Sequence, residues 1–183
     1  MTKTMTTTTV PTTVTYLEMT NAPARLPPQP IGNALALMRV DPMPVHFYRY
    51  LYATVGRDYL WVERLVLSDE ELQSRICAPG IEISVVYGNG APAGYFELDF
   101  TEESDVYLAY FGLLPEWVGR RIGPWLLGCA VSEAFARGAK RIRLNTCTLD
   151  HPSALPFYQK MGFEPVGQEE RVLQVPADML PAD

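Results

Sequence analysis

The stretch Leu114-Pro115-Glu116-Trp117-Val118-Gly119-Arg120-Arg121-Ile122-Gly123 brings two glycines and two arginines together ahead of a helix-periodic apolar segment. Successive backbone N–H groups at a helix N-terminus form a concave donor set, and the helix dipole adds about half a positive charge. Such a turn is a physical anion site, and a pyrophosphate is a reasonable guest. Gly119 and Gly123 withhold the side chains that would block a close approach, while Arg120 and Arg121 add cationic charge. Glycines four apart also occur in plain tight turns before helices, so the spacing alone leaves both readings open. A second set lies upstream, where Tyr95, Glu97 and Asp99 alternate along one strand-like face. Carboxylates placed there act as a base, attract a cation, or simply face water. Neither common nucleotide motif is present: Gly88-Asn89-Gly90 leads to Gly94 without the further glycine spacing of a dinucleotide loop, and no P-loop occurs.

The elements that must position these residues follow from periodicity. Val14 to Met19 is strand-like, the proline-rich Pro23 to Pro30 breaks it, and Ala34 to Val40 reads as a second short strand. A helix is expected over Val45–Val55. Another opens at Ser68-Asp69-Glu70-Glu71, a capping box, and runs to about Cys77. Ile81–Tyr87 and Ala93–Phe100 flank Gly88-Asn89-Gly90 as a hairpin. Val106 to Leu114 is nearly all apolar, as expected of a strand buried on both faces. Ile122, Trp125, Leu126, Cys129, Ala130 and Ala134 then recur at intervals of three and four, which predicts an amphipathic helix over about 121–137 that stops at Gly138. A strand over Arg141–Thr146, a short helix from an Asp150 N-cap to Met161, and a final strand over Val166–Val175 complete a mixed α/β domain.

With 183 residues the chain suits one domain. We assign residues 1–13 to a flexible threonine-rich arm and 14–183 to the domain. Fifteen basic against 21 acidic side chains leave a net charge of −6, which disfavours nucleic acid and anionic membranes as partners. No apolar stretch approaches the ~20 residues of a membrane span. The three cysteines, Cys77, Cys129 and Cys147, show neither a disulfide framework nor zinc spacing, so no metal is expected and a reducing, cytoplasmic setting is the default.

The segment from about Tyr107 to Phe163 resembles the acetyl-CoA core of the GNAT superfamily of N-acetyltransferases. Its pyrophosphate loop, Gln/Arg-x-x-Gly-x-Gly/Ala, falls on Val118-Gly119-Arg120-Arg121-Ile122-Gly123. A second motif, Asn-x-x-Ala-x-x-x-Tyr-x-Lys-x-Gly-Phe, falls on His151 to Phe163, matching Ala154, Tyr158, Lys160, Gly162 and Phe163. The departures are Val118 for a polar residue, Arg121 for the inner glycine and His151 for asparagine. The resemblance implies a mostly antiparallel sheet with one parallel pair splayed at the cofactor cleft. Pantetheine would pair with the strand edge near Leu113 and Leu114. It further implies cofactor contacts from Val118 through Gly123 and from Ala154 and Phe157, with acetyl-CoA as acyl donor, a primary amine as acceptor, and compatibility with a homodimer.

Thioester aminolysis needs a neutral amine and a protonated leaving sulfur. A phenol of pKa about 10 stays protonated at neutral pH and can donate to a thiolate of pKa about 8.5, so the motif tyrosine, Tyr158, is the candidate general acid. The resemblance implies that Tyr107 and Ala109 occupy the strand positions where some relatives carry a carboxylate or histidine base, so Glu97, with Asp99 behind it, is the candidate base. His46, Tyr48, Tyr50, Tyr52, Tyr59 and Trp61 form an aromatic series that is either core or acceptor wall. The competing reading is a catalytically silent acyl-CoA-binding module of the same fold.

Overall fold

Asn89 and Gly90 both adopt left-handed backbone angles, φ 50° and 87°, so the hairpin closes through the two-residue turn that matches strand twist. The strands it joins are β3 (Ile81–Gly88) and β4 (Ala91–Asp99). They belong to a seven-stranded sheet, seen in a computed structural model that describes residues 7–177. The remaining strands are β1 (Thr7–Met19), β2 (Leu35–Arg39), β5 (Asp105–Leu113), β6 (Arg141–Cys147) and β7 (Glu164–Pro176). Helices α1 (Val45–Gly56), α2 (Asp69–Ile76), α3 (Ile122–Ala136) and α4 (Ala154–Lys160) pack against them. The sheet order is β2-β3-β4-β5-β6-β1-β7, antiparallel throughout except for β5 beside β6.

That one parallel pair is short. Asp105, Val106 and Tyr107 face Arg141, Ile142 and Arg143, and the pairing ends there although both strands run on. Asp105 clamps the joined end, its carboxylate accepting from Arg143 Nε at 2.6 Å and from the Arg141 guanidinium. On its other side β5 stays in register with β4 up to Leu113 opposite Gly94, with one irregularity: Glu97 faces Tyr110 while Leu98 faces Leu108. Ala109 is therefore an extra residue, a bulge that re-aims the following side chains. Gly94 is required beside it, because a Cβ there would lie 2.4 Å from the Gly112 carbonyl oxygen.

The capping box at α2 forms as read from Ser68 and Glu71, a local feature worth about 1 kcal/mol. Gly138, at φ 92°, lies just past the end of α3 as expected. Four expectations need correction. Thr7–Thr13 are not a loose arm: they extend β1, pairing Thr7 to Pro176 through Thr13 to Glu170 in β7; residues 1–6 lie outside the described residues. β5 is not buried on both faces, because Tyr107 and Ala109–Leu113 are only half-buried along the gap toward β6. The buried stripe of α3 runs through Leu126, Leu127, Ala130, Val131 and Ala134, leaving Trp125 and Cys129 half-buried at its margin. Asp150 does not cap α4, whose N-cap is Ser153; instead its Oδ2 accepts from the Thr146 hydroxyl at 2.7 Å and from the Cys147 N–H at 2.9 Å.

Candidate active site

Where β5 and β6 part, a cavity of about 930 Å³ opens, lined along one wall by β5 from Tyr107 to Leu113. One end of the cavity is bordered by the start of α3. Gly119 takes φ 82° with nothing within 4 Å of where a Cβ would stand. Arg121, the N-cap, takes φ 62°. The left-handed region costs a residue with a side chain about 1 kcal/mol, which is why an inner glycine suits this turn; here arginine holds the same conformation. No side chain caps α3, and Pro124 brings no N–H of its own, so the first-turn donors of Ile122 and Gly123 are left for a ligand. An added Cβ on Gly123 would be 3.8 Å from Phe157, which marks how closely α4 approaches this turn.

Leu113, Val118, Gly119, Arg121, Ile122, Gly123, Ala154, Phe157, Tyr158 and Glu97 all border this one cavity. Two residues of the expected set do not. Leu114 is buried in the core, with its N–H donated to Ala93 on the β4 side at 2.9 Å. Arg120 turns its guanidinium over the Trp117 ring, 4.7 Å from the centroid. His151 borders the cavity, but its Nδ1 is engaged by Ser153 at 3.1 Å from the backbone N–H.

Tyr158 is half-buried between Phe157 and Phe163, with centroids at 5.4 and 6.1 Å. Burial raises its phenol pKa, and the nearby Asp150 charge adds to the effect, so the hydroxyl keeps its proton across the physiological range. Tyr107 is pushed up to about 12 for the same principal reason.

Glu97 is not a solvated strand carboxylate, for its side chain is only 1% exposed. Oε2 accepts from the Tyr48 hydroxyl at 2.7 Å and Oε1 from Arg64 Nη2 at 2.8 Å. Burial raises its pKa, opposed by the Arg64 charge and the Tyr48 hydrogen bond. Each oxygen retains a lone pair, and Glu97 borders the cavity. Sequence reasoning missed Arg64 altogether, because nothing local marks its meeting with a strand 33 residues later.

Of the aromatic series, Tyr52, Tyr59 and Trp61 border the cavity, while Tyr48 is core and Tyr50 and His46 are exposed. Tyr110, presented beyond the bulge, joins Tyr52 and Trp61 with ring centroids 5.0 and 5.2 Å away.

Known structures share this architecture. A functionally unknown conserved protein from Staphylococcus epidermidis superposes with a TM-score of 0.61 at 14% identity, covering 92% of this chain and 63% of that one. A GCN5-related N-acetyltransferase from Sphaerobacter thermophilus gives 0.66 at 15%, covering 94% and 53%. An aminoglycoside acetyltransferase from an uncultured soil metagenomic sample, in complex with sisomicin, gives 0.58 at 14%, covering 70% and 87%. At such identities the likeness is one of fold, and the chain spans less than two thirds of the first two proteins. No curated protein matches the sequence. The model of the Acetyltransferase (GNAT) family matches residues 46–163, well over half of the sequence, and the chain belongs to that family.

Proposed function

We propose that the protein is an N-acetyltransferase that moves the acetyl group of acetyl-CoA directly onto a primary amine within a ternary complex. The observation that carries this reading is the gap between β5 and β6, where one cavity is bordered by an uncapped helix start and by Tyr158 and Glu97. The residues present fit the donor. The open space over Gly119, the free N–H groups of Ile122 and Gly123 and the charge of Arg121 suit a pyrophosphate, and the unpaired β5 edge beyond Tyr107 suits pantetheine amides.

In the reaction the amine nitrogen bonds to the thioester carbon and the carbon–sulfur bond breaks. The Tyr158 hydroxyl protonates the departing thiolate, and the proton shed by the amine passes to Glu97, directly or through water. A carboxyl group whose pKa is raised by burial, against the opposing pull of the Arg64 charge and the Tyr48 hydrogen bond, suits that task. Holding both substrates in one cleft supplies much of the acceleration. Three free thiols among the described residues accord with a cytoplasmic setting.

The test is a thermal melt with and without acetyl-CoA, followed by thiol release with a panel of amines. A higher melting temperature and amine-dependent release are expected. No shift at saturating acetyl-CoA overturns the reading, and a shift without turnover on any amine replaces it with the silent binding module.

A further inference from the structure

The acceptor end of the cleft carries a charge arrangement that the transfer chemistry does not use. The Trp61 indole N–H donates to Asp150 Oδ1 at 3.4 Å, and the Tyr110 hydroxyl donates to Glu63 Oε2 at 3.4 Å. The Trp61 and Tyr110 rings lie 5.2 Å apart, and Tyr52 packs on both. All five residues border the same cavity. Two carboxylates therefore bracket one aromatic surface.

Among the described residues neither Glu63 nor Asp150 forms an ion pair; the nearby cation Arg64 pairs with Glu97 and lies over the Tyr110 ring, 5.3 Å from its centroid. The other cavity-lining arginines, Arg75, Arg121 and Arg171, belong to α2, the start of α3 and β7. Asp150 is also aimed: with Oδ2 held by Thr146 and Cys147, Oδ1 is the oxygen turned to Trp61. An ammonium group suits these two carboxylates and the Trp61 ring, since it pairs with carboxylates and is attracted to ring faces. A carboxylate beside the reacting amine would be repelled here, and a monoamine would gain nothing once its nitrogen sits at the thioester.

We infer that the acceptor is a dication or polycation, an amine bearing a second ammonium group that docks between Glu63 and Asp150 against Trp61. This rests on the transferase reading above and names its substrate class.

The experiment compares cadaverine, pentylamine and aminovalerate as acceptors with saturating acetyl-CoA, following thiol release by the whole chain. After correction for its two equivalent ends, cadaverine is expected to exceed pentylamine in kcat/KM by about tenfold, through KM, as one carboxylate contact plus a ring face would give. Aminovalerate should be the poorest. Glu63→Gln and Asp150→Asn should each bring the cadaverine to pentylamine ratio toward one. Equal kcat/KM for cadaverine and pentylamine, preference for aminovalerate, or a ratio unchanged in both variants overturns the inference while leaving the transferase reading intact. Acetyl transfer to none of the three overturns the inference, and it overturns the transferase reading as well where the wider amine panel is also silent.

Discussion

Arg64 donates from Nη2 to Glu97 Oε1 at 2.8 Å, with the two side chains only 13% and 1% exposed. Stripping the guanidinium away leaves a buried carboxylate without its counter-charge, a loss of about 3 kcal/mol. Arg64→Met is therefore expected to lower the denaturant midpoint and to raise the Glu97 pKa further. The direction on activity follows. Glu97 must be ionised to accept a proton, and its pKa already lies above the ordinary carboxylate value. The wild-type kcat/KM should fall as pH drops through a midpoint higher than about 4.3, the midpoint should move up in Arg64→Met, and the limb should vanish in Glu97→Gln. A pH profile of kcat/KM for the three proteins decides it; a limb that persists in Glu97→Gln removes Glu97 as the base.

Tyr158→Phe removes one hydroxyl from a ring that still packs on Phe157 and Phe163. Its melting temperature and acetyl-CoA affinity should stay near wild type while kcat falls about a hundredfold, the scale of a lost general acid. Calorimetric titration beside steady-state kinetics checks the split; equal losses in affinity and turnover contradict the acid role.

The α3 turn separates conformation from charge. Gly119 has open space but a positive φ, so Gly119→Val fails through backbone strain rather than collision. Acetyl-CoA affinity should drop about tenfold or more. Arg121→Gly relieves a left-handed arginine and should raise the melting temperature, a gain of about 1 kcal/mol, while weakening acetyl-CoA by removing a cation. Melting curves and binding titrations of both variants read the two effects separately.

Asp105 ties the closed end of the β5/β6 pair through Arg141 and Arg143, whose hydrogen bonds hold its carboxyl below the usual range. A carboxylate with a depressed folded pKa stabilises the fold above its unfolded value of about 3.9 and loses that contribution as pH falls through the folded value. Asp105→Asn should melt below wild type at neutral pH, with the gap narrowing as the solution is acidified toward and below that range. A melting series against pH tests this, and a pH-independent gap would assign the loss to packing.

Features set by neighbours in the chain were legible in the residues themselves. Ser68 and Glu71 cap α2, Asn89-Gly90 turns the hairpin, Gly138 stops α3, and Gly119 with Arg121 prepares an uncapped helix start. Backbone preference and side-chain reach over a few bonds decide each of these. Tertiary structure decided what depends on distant segments meeting. Thr7–Thr13 carry only a threonine repeat, yet become strand because β7 supplies their hydrogen bonds from the far end of the sequence. Glu97 stood out in the sequence as the candidate base, but its burial beneath Arg64 and Tyr48 came only with the fold. The bulge at Ala109 presents Tyr110 to the cleft, where it meets Trp61 from the segment after α1. Strand pairing, burial and charge compensation are pairwise energies between segments far apart in sequence, so no window along the chain contains both partners.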